Sequence, residues 1–280
     1  MNKLVSIRSF LVVILGLMST LASARTISDL DAVHKAAEQR TLVMRITRDH
    51  LQMAGNVDYQ SAKVDLEANL ETFEFLMGQL EHNSPTSTIN QRVLDIKSQW
   101  QAFRNAALAA PSADSSLALI EESNELLLNT DMLMRDWQAR LPHHYGYRID
   151  MAQQQSMLSE RINVLYLAKY IGVDADWIED EMDHTIAAYE AGMDALRMES
   201  RDAAVDPLIV AQLSSNWDYA KLGLEQFSNA KYVPVVMSVT LNSMLQQTNT
   251  LADAYHIRDR IAMNGGRVLA ESSLAANISH

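Results

Sequence analysis

The sequence predicts an all-α protein, and three observations carry that expectation. Glycine and proline are scarce, 9 and 5 in 280 residues, too little punctuation for a many-stranded sandwich or a doubly wound sheet. Met, Leu, Ala, Gln and Glu dominate, a composition of helix formers. Apolar residues recur at spacings of three and four in one segment after another. With 48% hydrophobic and 21% charged residues, the chain has apolar surface enough for a core, which excludes disorder as its main state. The absence of cysteine removes disulfide scaffolds, thiolate zinc sites, iron–sulfur clusters, cysteine nucleophiles and c-type haem attachment.

Residues 1–24 form a leader. Lys3 and Arg8 are its positive start, Phe10 to Met18 its apolar run and Ala22-Ser23-Ala24 a cleavage site of the A-x-A kind. The apolar run is short for a membrane span. The expected mature chain is therefore soluble and exported to the periplasm. The whole chain carries a formal charge of −12, and with Lys3 and Arg8 removed, 21 basic against 35 acidic residues leave −14. That disfavours nucleic acid and anionic membrane surfaces as partners. An anion has to be held by local arginines.

Seven breaks divide the mature chain. Pro85, Pro111, Pro142, Pro207 and Pro234 mark turns or first helical turns. Gly55-Asn56-Val57-Asp58 and Gly172-Val173-Asp174 place a C-cap and then an N-cap. Eight helical segments lie between them. The breaks repeat at an interval of 116 to 123 residues, and so do the apolar stripes. Leu66, Leu70, Phe73, Met77 and Leu80 match Met182, Ile186, Tyr189, Met193 and Leu196 at an offset of 116. Val93, Ile96 and Trp100 match Val210, Leu213 and Trp217 at 117; Asn124, Leu127, Thr130 and Trp137 match Asn242, Leu245, Thr248 and Tyr255 at 118. A duplicated unit of four amphipathic helices with short turns predicts two tandem up-down four-helix bundles forming an elongated rod. The expected units are residues 25–144 and 145–264, joined around Leu141–Tyr147, with a Gly265-Gly266 break and a tail over 265–280.

The first helix of each unit carries the strongest local signal. Ala36, Gln39, Leu42, Arg45 and Ile46 recur as Ala152, Gln155, Leu158, Arg161 and Ile162. Gln39 and Gln155 fall on the apolar stripe, where an amide is costly unless hydrogen-bonded. Such a layer either fixes helix register or meets a ligand or partner helix. Met151 through Ile162 resembles the A-G-R-Q-R-M-L-S-Q-R-I motif that opens the periplasmic sensor module of type IV pilus methyl-accepting chemotaxis transducers. That module is related to the input domain of nitrate/nitrite sensor kinases. The match keeps Ala152, Gln155, Met157, Leu158, Ser159, Arg161 and Ile162, with Glu160 in place of a glutamine; the first unit keeps Ala36, Gln39, Arg40, Leu42, Arg45 and Ile46.

The resemblance covers the mature chain and implies a four-helix sensor module in tandem. In the nitrate-sensing relatives a first-helix arginine binds the anion between two subunits. By motif position that arginine is Arg40 here, and its counterpart in the second unit is Ser156. The candidate ligand-binding residues are thus Gln39, Arg40, Arg45, Gln155, Ser156 and Arg161. Relatives also carry membrane helices and a cytoplasmic signalling region, so the expectation here is a sensor module freed from its receptor.

Other chemistry finds little support. Glu181-Met182-Asp183-His184 has the Glu-x-x-His spacing of di-iron bundles, but Ala68 replaces the histidine in the other copy. No metal and no cofactor are expected, haem included, since the methionines fall on packing stripes. No nucleophile elbow, phosphate loop or catalytic carboxylate pair points to an enzyme. The leading expectation is a soluble periplasmic binding module that recognises a small ligand, with an oxyanion as the candidate, or a membrane receptor, and homodimerisation is allowed. The alternative is a ligand-free envelope adaptor working through helix contacts.

Overall fold

A computed structural model describes residues 26–142, 144–199, 206–225 and 233–278, with 206, 225, 233 and 266–278 as backbone only. The leader, residues 1–24, lies outside them. The fold is all-α: among the described residues there are eight helices and no strand. They are α1 (Asp29–Ala54), α2 (Tyr59–His82), α3 (Ser87–Ala107), α4 (Ala113–Gln138), α5 (Tyr147–Ile171), α6 (Ile178–Glu199), α7 (Asp206–Glu225) and α8 (Val233–Ile278).

Local chemistry sets their ends. Ser28 caps α1 through a reciprocal bond with Asp31, and Ser112 caps α4 through Ser115. Thr86 accepts from the Ile89 N–H at the start of α3. Pro207 and Pro234 are the second residues of α7 and α8, where a missing N–H costs nothing. Gly172 closes α5 at φ 75°, a left-handed conformation that glycine adopts without strain. Gly55 closes α1, and the turn after it uses Asn56 and Asp58 at φ 51° and 47°, residue types that tolerate that region.

Within each half the helices pack in a ring. In the first, α1 lies against α2 and α4, and α3 against α2 and α4. In the second, α5 lies against α6 and α8, and α7 against both. The halves do not follow one another end to end as a rod. Helix α5 packs along α1 about as extensively as α1 packs on its own neighbours. Thr41 meets Gln153 and Arg48 meets Glu160, each 112 residues on, so α1 and α5 run parallel and side by side. The reason is burial. Nineteen of the 26 residues of α1 are buried, on every face, against eight of 24 in α2; eight of the nineteen are polar or charged, so α1 must be enclosed by helices that supply them partners as well as apolar contacts. Single-stripe periodicity does not show that demand. The buried apolar side chains of both halves consequently form one continuous core.

A second departure is α8, whose backbone stays helical through Gly265 and Gly266 to Ile278. Glycine in a helix costs about 1 kcal/mol against alanine but keeps its N–H and C=O, so two of them need not break the ladder.

The duplication extends from stripes to individual bonds. Trp100 Nε1 donates to Glu74 Oε1 at 3.0 Å, and Trp217 Nε1 to Glu190 Oε1 at 3.2 Å. Arg104 reaches Glu74, and Lys221 takes the same place on Glu190. Phe73 stacks on Trp100 with centroids 4.1 Å apart, where Tyr189 meets Trp217 at 4.6 Å. An Asn129–Gln99 amide pair in one half is an Asn216–Gln247 pair in the other, with the residue types exchanged between the helices.

Candidate functional site at the seam between α1 and α5

The faces that α1 and α5 turn toward each other and toward α4 and α8 are polar yet buried. At the centre, Arg48 donates through Nε and Nη2 to Asp49 Oδ1, at 3.0 and 2.6 Å, and through Nη1 to Glu160 Oε1 at 2.7 Å. Asn69 of α2 donates to the other Asp49 oxygen at 2.7 Å. Asp49 and Glu160 are fully buried and Arg48 nearly so. Burial pushes both carboxyls above the usual range, against the pull of the Arg48 charge. Burial also opposes the charge on Arg48, but Asp49 and Glu160 outweigh it and hold the guanidinium protonated. The network is a charged cross-link between the halves, formed at a cost in desolvation.

Toward α4 lies a second cluster. Arg40, 2% exposed, donates to Asp131 Oδ1 at 2.7 Å and to Asp150 Oδ1 at 2.5 Å. Asp131 also accepts from Arg135 at 2.8 Å through its other oxygen, so its carboxylate lies between two guanidiniums. Arg40, Asp131 and Arg135 border a cleft of about 370 Å³ that Arg161, Gln154, Asn124, Leu127 and Met157 also line. Arg161 itself pairs with Glu181 at 2.7 Å.

The residues singled out in the sequence are thus all near the seam but do not converge on one point. Arg40 and Arg161 share the cleft. Ser156, the counterpart of Arg40, donates to Thr248 Oγ1 at 2.7 Å and contacts Asn249 Oδ1 at 3.1 Å. Asn249 occupies the position of Asp131 at the offset of 118, so an ion pair in one half is a neutral hydrogen bond in the other. Arg45 keeps a buried Nε without a hydrogen-bond partner. Gln39 is fully buried with both amide atoms unpartnered, and Gln155 leaves its Oε1 so.

Gln155 fits because the facing residue is Gly192, where the first half has the buried Leu76. A Cβ at Gly192 would lie 1.8 Å from Gln155 Nε2. Gly192→Ala must push the end of the Gln155 side chain aside, and because alanine gains about 1 kcal/mol over glycine inside a helix, the net loss in urea unfolding is expected at about 0–2 kcal/mol. Gln155→Ala in the same chain should recover most of that loss.

Sequence reading missed Arg48 and Asp49, and it met Glu160 only as a departure from a motif. Charged neighbours inside a helix normally face water, and only the full burial of α1 shows that these do not. The one signal in the sequence was the apolar run Val164–Ala168, which leaves that stretch of α5 without a polar face.

Among the described residues, no three His, Asp or Glu side chains are arranged to hold a metal ion, and no helix is long and apolar enough to cross a membrane. Glu181 of the Glu-x-x-His spacing is engaged by Arg161. Fold and site together define an all-α protein of two duplicated four-helix units closed around a buried polar seam. Comparison with known protein families, curated proteins and solved structures finds no match for this chain.

Proposed function

We propose that the chain is an exported, non-enzymatic, sensor-like binding module whose two units make within one chain the pairing that two subunits make in the nitrate-sensing relatives. One observation carries this reading: the motif-bearing first helices of the two units lie parallel and in register, with Arg40 buried at their junction with α4. The cleft beside Arg40 has the size of a small-ligand site, and three arginines line it in an otherwise acidic protein.

In this reading a small oxyanion enters by taking the place of the Asp131 carboxylate between Arg40 and Arg135, a planar fork suited to it. Nitrate or nitrite should then raise the melting temperature by mass action. Arg40→Ala removes a charge-assisted contact of about 1.5–3 kcal/mol, roughly a tenfold to hundredfold loss of affinity. Asp131→Asn, which removes the carboxylate shared by Arg40 and Arg135 while Asp150 still holds Arg40, should bind more tightly than the wild type. Ser156→Ala should not change the response. Calorimetry without anion binding to either the wild type or Asp131→Asn would end the oxyanion reading and leave recognition of a membrane receptor through helix faces.

A further inference from the structure

The duplication gives the seam two flanks, α4 with α5 on one side and α8 with α1 on the other. Equivalent positions on the two flanks carry different chemistry. On the first flank Arg135 and Asp150 lie within electrostatic reach, and Asp131 together with Asp150 favours the charge on the Arg135 guanidinium. The repeat offsets carry Arg135 to Asp253 and Asp150 to His34. Those two residues face each other on the second flank, with His34 Nε2 3.1 Å from Asp253 Oδ1, within ion-pair distance but not aligned as a hydrogen bond. The charge order is reversed, and the cation has become an imidazole.

The second flank adds another such pair. His256 Nε2 lies 2.8 Å from Asp31 Oδ1. Asp31 and His34 are three residues apart on α1, and Asp253 and His256 three apart on α8, so two Asp-x-x-His turns meet antiparallel and cross-pair. The imidazoles stack, with centroids 4.8 Å apart and planes 19° from parallel. At the places of Asp31 and His256 the first flank has Tyr147 and Gln138, neither an imidazole nor a carboxylate.

We propose that this clasp is a pH-operated latch between the units: acidification charges the buried His34 ring against the ring stacked on it and frees α8 from the first turns of α1, while the opposite flank stays closed. The surroundings set the sign. The His34 side chain is 18% exposed, whereas its carboxylate partner Asp253 is 65% exposed, so water screens the attraction more than it relieves the burial. Burial first, then the charges of His256 and Lys35, hold His34 below the usual histidine range despite Asp253. Glu38 on α1, its carboxyl raised by burial, lies near Asp253 and Lys35, and Arg260 on α8 borders a second cleft with Asp31 and Lys35. A histidine lowered in the closed state binds its proton more tightly when open. The latch is therefore closed above about pH 6.5 and weakens as pH falls through the closed-state value.

Hydrogen–deuterium exchange on the intact chain tests this, since His50, also lowered by burial, makes global acid stability uninformative. Between about pH 7.5 and 5.5, with intrinsic exchange corrected, opening should rise about tenfold for each proton and pH unit in the window. The rise is expected in residues 29–38 and 250–262 and not in 128–137 or 147–156. His34→Gln with His256→Gln should abolish it. His34→Asp with Asp253→Arg, which installs the aspartate–arginine pair of the other flank, should abolish it too. An equal response on both flanks, or one that survives in the glutamine variant, would overturn the proposal; neither result depends on whether an anion binds at Arg40.

Discussion

Arg48→Ala is expected to cost about 3–5 kcal/mol in urea or thermal unfolding, the range for removing one partner from a buried ion network. The groups left behind set that size. Asp49 and Glu160 are fully buried, and without the guanidinium neither has a cation within hydrogen-bond distance. Asn69 still bonds Asp49, but Glu160 loses its single hydrogen bond, and its Oε2 has none already. The two carboxyls then take up protons and unfolding becomes more favourable as pH rises. Replacing the whole network by apolar residues of similar volume should cost far less than the single substitution, because no charge is then left in the core. A single variant as stable as the wild type would mean that water reaches the seam.

Trp100→Ala and Trp217→Ala should each cost about 3–5 kcal/mol, the range for truncating a large buried aromatic side chain. The two indoles hold equivalent places, 1% and 3% exposed, each against an aromatic ring and each donating to a glutamate that solvent also reaches. Losing that indole bond therefore adds little, and cavity formation dominates. The core runs without interruption through both halves. Both variants are accordingly expected to unfold in one cooperative transition, seen together by fluorescence and circular dichroism. Two separated transitions would show that the halves fold independently.

Much of this was legible in the sequence. Seven breaks gave eight helices, and all five prolines fall between helices or in their first turns. The stripes at offsets of 116 and 117 are the buried faces of α2, α3, α6 and α7, Ile186 alone being half-buried; the stripe at 118 lies on α4 and α8, where Asn124 and Asn242 are exposed and the other matched residues are buried. The site was legible only in part. Arg40 was found through a motif, but its carboxylate partners lie 91 and 110 residues away. No local spacing could connect them.

The sequence by itself determined the helical class, the duplication and the helix boundaries except the end of α8, because each depends on contacts within a turn or on a period that survives copying. Only the tertiary structure decided that the two units lie side by side, that Arg48, Asp49 and Glu160 meet between them, and that His34 faces Asp253. Those pairings depend on which face of one helix a distant helix covers. A linear pattern records that a residue shuns water, and for a charged residue it does not record even that: Arg48 reads as a surface cation until α5 closes over it.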